Sequence, residues 1–523
     1  MKTLNDLLDA AFREAPDKTA YVTPSREVSF RDFHAEVLAA AAGLAAAGVK
    51  ERDCVAIVLR NGVEFVAAYL ALARLGAVAV PINFMVQKAD ELAFMLNDCE
   101  AVGAVTQREF LSGLRKAAAL VPSMKSLWVT DLQEEKGKSI ERPFSGLLSH
   151  GVSPTAGAVG EEHVASILYT SGTTGQPKGV MLTHRNLVTN ALSSVSEFRA
   201  DPRDVCLCVL PMFHSFAWTG GVLVSMAIKA KLVIAPAIVP ASPWLKAMGR
   251  HGVSIMTAVP QLYAVIAKEA RGFKRLFLKF WSFRRVRIAA SGAAPLSPAV
   301  AAAFENGLGI PVLEGYGLTE TSPVATVNTP WAGKPGSVGR PIPGVEIRIV
   351  DDDERPLAAG QEGEICIKGD NVMKGYHNLP EETREVFTKD GWLKTGDIGA
   401  VDEEGFLFIR DRKKDMIIVK GLKVFSAQVE AKLLEHPAVG EAAIIGIPDE
   451  HGDETIKAFV VPAPGAAADP AELMKFCRER LDPYKRPRTV EVVAALPKNA
   501  LQKVLKRELR RLELEKRRGL ASS

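Results

Sequence analysis

Tyr169-Thr-Ser-Gly-Thr-Thr-Gly-Gln-Pro-Lys-Gly-Val180 packs Gly172, Gly175 and Gly179 together with the hydroxyls of Thr170, Ser171, Thr173 and Thr174 and the charge of Lys178. An apolar, strand-like run, Val164 to Leu168, leads into it, and a helical pattern with Thr183 as N-cap follows. Glycines let successive backbone N–H groups converge on one point, and such concavities hold anions. Hydroxyl donors and one ammonium complete what a triphosphate needs. The spacing is not that of the Walker loop, because Pro177 precedes the lysine and Gly179 follows it. A Gly/Ser/Thr loop by itself also reads as a surface connection, so its meaning depends on what the rest of the chain supplies.

The chain has 523 residues, more than one core accommodates, and implies several domains. It carries 65 basic and 61 acidic residues, a near balance that argues against a nucleic-acid partner. Six cysteines are too sparse for a disulfide framework, and none has zinc spacing. Cys206 and Cys208 fall on one face of an expected strand. Val205 to Ile228 holds no charged residue and is long enough to span a bilayer. Pro211, His214, Gly220 and Gly221 interrupt it, so a buried strand, a turn and a core helix are expected instead. The opening Met-Lys-Thr-Leu-Asn-Asp lacks an apolar signal core, and the expected location is cytoplasmic, with peripheral membrane contact open.

Short apolar runs alternate with helical patterns through the first 160 residues. Val55–Leu59 and Ala77–Ile82 read as strands; Phe33–Ala47 and Val63–Leu75 read as helices. Lys231–Ala235, Ser254–Val259 and Arg285–Ala290 continue the alternation, which implies parallel sheet with crossover helices. From about 335 to 410, runs such as Val345–Val350 and Gly363–Lys368 suggest an antiparallel or barrel-like module. After the charged Asp411-Arg-Lys-Lys-Asp415, a smaller α+β pattern follows, closed by a charged helix over Val504–Arg518 that reads most simply as solvated.

Further strings carry chemistry. Glu314-Gly-Tyr-Gly-Leu-Thr-Glu-Thr321 offers close backbone approach at Gly315 and Gly317 and a flat ring at Tyr316. It also offers a hydroxyl at Thr319 and a hard oxygen ligand for Mg2+ at Glu320. In Trp392-Leu-Lys-Thr-Gly-Asp397, one carboxylate on a tight turn can accept two ribose hydroxyls, though an aspartate in a turn is also an ordinary cap.

In this order, these strings resemble the motifs of the acyl-adenylate-forming enzymes. That superfamily comprises acyl-CoA synthetases, aryl-CoA ligases, peptide-synthetase adenylation domains and luciferases. The resemblance runs from Ser29 to Leu509 and is most like the medium- and long-chain fatty acyl-CoA synthetases. It implies an α/β fold, with a large N-terminal domain of two α/β layers plus a small β-barrel over residues 1–411. A mobile, smaller α+β C-terminal domain over 412–523 would rotate about a hinge near Lys414. Thr170, Ser171, Gly172, Thr173, Thr174, Gly175 and Lys178 would hold ATP phosphates. Ser291, Gly292 and Ala293, in Ser291-Gly-Ala-Ala-Pro295, would line the adenine with Glu314, Gly315, Tyr316 and Gly317. Asp397 and Arg412 would take the ribose.

By the same resemblance Lys503, in Leu496-Pro-Lys-Asn-Ala-Leu-Gln-Lys503, would sit at the reacting carboxylate. The family's glycine before that lysine is Gln502 here, and Lys498 is the nearest competitor. By the resemblance Gly421 and Leu422 would line the CoA thiol passage and Lys423 would meet CoA phosphates; the family commonly has proline where Ser426 stands. His214, Trp218, Val259 and Pro260 would border the acyl pocket. Thr319, Glu320, His214 and Lys503 are the expected catalytic set, with Glu320 on Mg2+. The implied reaction converts a carboxylic acid, ATP and CoA to acyl-CoA, AMP and pyrophosphate. An aryl-CoA ligase or a transfer to a carrier protein shares every ATP motif. A non-catalytic homologue is the reading from a different class. A homodimer is a further expectation from the family.

Overall fold

The computed structural model describes residues 1–86, 88–132, 140–150, 159–171, 176–419, 422–448, 454–498 and 504–521. They form two compact units, Met1–Ile347 with Ile367–Leu393, and Arg348–Cys366 with Lys394–Ser523.

The first unit contains an eight-stranded and a nine-stranded sheet. In the first sheet, Cys54–Val58 and Val78–Pro81 are parallel neighbours. The helix Val63–Leu75 between them matches its expected span and is apolar on every side, with all residues from Phe65 to Ala73 buried. A helix without a polar face must lie between layers, and it packs on the helices Leu4–Glu14 and Phe30–Ala46 as well as on both strands. The latter helix starts where Ser29 accepts a hydrogen bond from the Asp32 N–H. In the second sheet, Ile255–Ala258, Ile288–Ser291 and Val312–Gly317 run parallel, and Val324–Val327 turns back against the last.

Residues 205–228 resolve into the strand Val205–Cys208 and the short helical turns Ser215–Ala217, Trp218–Leu223 and Val224–Ala227. Among the described residues, no helix is long and apolar enough to cross a membrane. Burial pushes the Cys206 and Cys208 thiols up to about 12, so they behave as core packing.

The phosphate-loop region differs from the expected strand, loop and helix. Val164–Ser171 is followed by a second strand, Pro177–Thr183, antiparallel to it, and only then by the helix His184–Glu197, capped by Thr183. Residues 172–175, which join the two strands, lie outside the described residues; Pro177 and Gly179 stand on the second strand, opposite Ser171 and Tyr169.

Val345–Val350, Gly363–Gly369, Leu393–Val401 and Leu407–Arg412, drawn mainly from the second unit, form a four-stranded sheet in that order. Where a barrel was implied, the sheet is not closed among the described residues. A three-stranded sheet follows, with Glu454–Pro462 central between Val439–Pro448 and Thr489–Val492. Helices Ser426–Leu433 and Pro470–Arg480 bury Val429, Leu433 and Leu473 with Ile444 and Ile456 of the sheet. The terminal helix Lys506–Ala521 is not simply solvated: Leu509 and Glu513 are buried. The boundary expected after Asp411 concerns a rotation and lies inside the second unit.

Candidate active site

Gly172, Thr173, Thr174 and Gly175 lie outside the described residues, and of Ser171 only the backbone, ending its strand beside Thr170, is described. Lys178 stands on the return strand of the hairpin, its Nζ 5.1 Å from the centre of the Tyr376 ring. Tyr376 belongs to the edge strand Gly375–Tyr376, paired with Val180 and Met181. Its hydroxyl donates to Glu320 Oε1 at 2.9 Å. Burial and the Glu320 carboxylate push the Tyr376 phenol far above its usual range, so it stays a donor. One ring thus joins the loop lysine to the carboxylate expected on Mg2+. Tyr376 carries no local sequence signal; its place comes from strand pairing.

Thr319 and Glu320 sit in a single 3-10 turn, Thr319–Thr321, and Ser322 follows at φ +67°. Three side chains absent from the sequence reading hold this turn. Asn190 donates to Val324 O at 2.6 Å and accepts from Val324 N–H at 3.1 Å. Asn371 donates to Thr321 O at 3.0 Å, and Thr219 donates to Ser322 O at 2.8 Å. A left-handed non-glycine residue persists only where its surroundings over-determine it. Ala293, in the expected adenine segment, is another left-handed non-glycine residue, at φ +68°.

Glu314 begins the Gly-Tyr-Gly string on the strand Val312–Gly317 and accepts from the Leu296 N–H at 2.9 Å. Burial raises its carboxyl to about 7. The folded chain therefore keeps a proton that the unfolded chain releases above about 4.5, so this group makes stability fall as pH rises from 4.5 to 7. Buried His184, held down to about 4, gives the opposite slope from 4 to 6.5, so the comparison must be between chains. Glu314→Gln is expected to gain stability on the wild type by on the order of 2 kcal/mol across that window, read from thermal midpoints. A midpoint difference that stays constant with pH would remove the assignment.

Ser291, Gly292 and Ala293 leave the carboxyl end of Ile288–Ser291, and Val259 and Pro260 leave that of its neighbour Ile255–Ala258, with Ala258 opposite Ser291. Open α/β sheets bind ligands outside these ends. The Ser291 hydroxyl is buried there with no hydrogen-bond partner among the described residues. The Phe216 ring lies 3.4 Å from where a Cβ on Gly292 would stand, so the expected adenine and acyl segments meet. His214 caps the turn Ser215–Ala217, its Nδ1 accepting from the Phe216 N–H at 3.2 Å. Trp218 is buried, stacked on Tyr69 at 3.9 Å and tilted against Phe65 at 5.9 Å. Asn61, another residue without a sequence signal, fixes the His214 loop: it donates to Leu210 O at 2.8 Å and accepts from Met212 N–H at 2.8 Å.

In the second unit Asp397 lies inside Leu393–Val401, not on a turn, directly opposite Arg412 across the strand pair. Their closest approach is 3.6 Å, Arg412 Nε to Asp397 Oδ1. Lys414 stands in the turn that Asp415 N–H and Met416 N–H close onto Arg412 O. Leu422 and Lys423 lie on the strand Leu422–Val424; Gly421, Gln502 and Lys503 lie outside the described residues. Lys423 pairs with Asp352 at 3.5 Å beside a cavity of about 620 Å3 that Glu362, Glu364 and Lys485 also line. That lining is too acidic for a phosphate in this arrangement. Ser426 donates to Asp411 Oδ2 and accepts from Lys506 Nζ, both at 2.7 Å, contacts a proline there could not make.

Residues 8–377 match the family model of the AMP-binding enzymes, and residues 428–503 match that of the AMP-binding enzyme C-terminal domain. A long-chain-fatty-acid–CoA ligase of Bacillus subtilis (strain 168) is 34% identical, over 98% of this chain and 95% of its own. The crystal structure of ATP-bound MatB from Rhodopseudomonas palustris superposes with a TM-score of 0.88 at 31% identity, covering 97% and 98% of the two chains. That of the O-succinylbenzoate coenzyme A synthetase MenE from Bacillus subtilis, with ATP and magnesium ion, gives 0.83 at 29% identity, covering 96% and 98%. The chain belongs to the AMP-binding enzyme family, and thereby to the acyl-adenylate-forming superfamily.

Proposed function

We propose that the protein joins a medium- or long-chain fatty acid to CoA through an acyl-adenylate. It is an AMP-forming acyl-CoA ligase that uses ATP, Mg2+ and CoA. The observation that carries the proposal is the arrangement of Lys178, Tyr376 and Glu320 beside the phosphate hairpin, in a chain whose relatives are CoA ligases along nearly all their length.

A carboxylate does not react with a thiol at neutral pH. In the first half-reaction a carboxylate oxygen attacks the α-phosphorus of ATP, the bond to the β-phosphate bridge breaks, and pyrophosphate leaves. The phosphate hairpin and Thr319 position that leaving group in line, and Lys503 neutralises charge at the α-phosphate. Among the described residues, no cluster of three or more His, Cys, Asp or Glu side chains could hold a metal alone. One carboxylate, Glu320, would hold a Mg2+ ion that arrives with the triphosphate, and the ion would supply charge neutralisation of the phosphates.

Asp397 and Arg412 hold the ribose, and Ser291, Gly292 and Ala293 border the adenine with the Glu314–Gly317 string. The segment from Arg412 onward then turns about Lys414, withdrawing Lys503 and presenting Gly421, Leu422 and Lys423. The CoA sulfur attacks the acyl carbon, the bond to AMP breaks, and the thiol proton passes to solvent. Phe213, Phe216 and Trp218 flank His214 along the chain, and that apolar setting suits an apolar tail.

An aryl acid is the second reading, favoured by the likeness to MenE. Purified protein given Mg-ATP, CoA and a panel of straight-chain and aromatic acids is expected to release pyrophosphate and form thioester in parallel, fastest with an aliphatic acid. Fastest turnover of an aromatic acid transfers the proposal to the second reading. Pyrophosphate without CoA thioester would make a carrier protein the acceptor.

A further inference from the structure

Gly272–Ser282 is one helical run, an α-helix over Gly272–Phe277 continued by a wider turn over Leu278–Ser282. Phe273, Leu276, Phe277, Phe280 and Trp281 recur along it at i, i+3, i+4, i+7 and i+8, the spacing of a single apolar face. Such a face normally meets the core. Here it meets solvent: Phe273 is 91% exposed, Phe280 65%, Leu276 52%, Phe277 46% and Trp281 42%. These include every phenylalanine that is largely exposed among the described residues.

The face is held outward by structure on its other side. Leu278, Ser282 and Phe283 are buried, and the Phe283 ring meets Phe304 at 5.7 Å. The Arg275 guanidinium donates to Asn306 O at 3.1 Å and Gly307 O at 2.9 Å, near the end of the helix Pro298–Leu308. The Trp281 indole lies so close over Gly249 that a Cβ there would overlap it. Rotating the stripe inward would break all three attachments.

Charge identifies what covers the face. Lys268–Arg287 contains eight basic residues and one acidic residue, a net +7, whereas the whole chain carries +4. The one acid, Glu269, is paired with Lys274 at 2.6 Å, and Arg287 is paired with Asp204. Arg271 and Arg285 are exposed at the two ends of the run, whereas the guanidinium groups of Arg275 and Arg284 are partly engaged by Gly307 O and Gly249 O. A second copy would bring the same positive charge against itself. Exposed Phe, Leu and Trp on a Lys/Arg-rich helix instead match the boundary between acyl chains and anionic headgroups.

We propose that this face docks the protein on an anionic lipid bilayer. The aromatic rings enter the headgroup layer and the guanidinium groups meet lipid phosphates. The helix Pro260–Glu269, which begins at the expected acyl-site residues Val259 and Pro260, ends four positions before Phe273, the first residue of the stripe. The enzyme would therefore dock beside its acid-binding end, although the docking claim stands whichever acid is used.

The test is co-sedimentation of the full chain with vesicles of phosphatidylcholine alone, and with vesicles containing about one-third phosphatidylglycerol. Wild type is expected to partition on the order of 10-fold or more into the anionic vesicles, and to lose that preference at high salt. Phe273→Asp/Phe280→Asp, at positions already in solvent, is expected to lower partition on the order of 10-fold with an unchanged thermal midpoint. Equal partition of variant and wild type, or no wild-type binding to anionic vesicles, overturns the proposal. So does a wild-type dimer that the double variant dissociates without any vesicle binding, which would give the face to a second copy.

Discussion

Gly317→Ala is expected to lower acid-dependent ATP–pyrophosphate exchange by about 100-fold or more, the scale of a 1 Å misplacement at a reacting centre. A Cβ at position 317 would stand well under 3.0 Å from Pro323 O, closer than real Cβ atoms come. That oxygen cannot yield cheaply, because it accepts the Leu318 N–H at 3.1 Å and the Thr321 hydroxyl at 2.5 Å. The Pro323 backbone is further braced by Asn190 and Asn371 on Val324 O. The strand end must therefore move, and the turn bearing Thr319 and Glu320 moves with it. Gly315→Ala is the control. Its Cβ would meet Thr326 O at 3.1 Å, a clash of a few tenths of an ångström, and the expected loss is less than about 10-fold. Equal losses at the two positions would show that close approach at Gly317 is not the cause.

Lys457→Met is expected to destabilise the second unit by about 3 kcal/mol, with no comparable change in the first. Lys457 is buried on the central strand Glu454–Pro462. Its ammonium lies 2.6 Å from Glu491 and 2.7 Å from Glu513, and above the Phe459 ring at 4.9 Å. It holds the Glu491 carboxyl below the usual range. Methionine conserves the volume but takes the buried cation away from Glu513 and leaves Glu491 with only the exposed Lys516 at 3.3 Å among the described residues. The double variant Lys457→Met/Glu513→Gln removes the first of these carboxylates and is expected to recover about half the loss. Calorimetry that resolves the two units reads both numbers. A double variant no more stable than the single one would place the cost in packing instead.

Periodicity exposed those elements whose reason is local. Val63–Leu75 is apolar on all sides and bounded by Gly62 and Gly76, so its ends were legible to the residue. Val345-Glu-Ile-Arg-Ile-Val350 alternates in sequence, and the strand spans those six residues. What escaped has causes distant in sequence. Pro177–Thr183 is a strand because Val164–Ser171 pairs with it, and Asp397 is in a strand because Arg412 faces it. Asn61, Asn190 and Asn371 are single polar residues whose partners lie 47 to 174 positions away. Leu509 and Glu513 look like any solvated helix until the sheet beneath them is present. The candidate site was legible in its glycines, hydroxyls and charges, whereas the side chains that brace it were not.

The main chain passes between the two units three times, after Ile347, Cys366 and Leu393. The second unit is therefore assembled from two separate stretches, and its sheet draws on both. Hybrids made by exchanging only the portion beyond Asp411 with a relative would divide that unit between two parents. The pairs Glu364–Lys413, Asp352–Lys423 and Asp411–Ser426 would each straddle the splice. Recombination that conserves them needs residues 348–366 and 394–523 to be inherited together, with a crossover at each of the three passages if the 27 residues between them come with the first unit from the other parent.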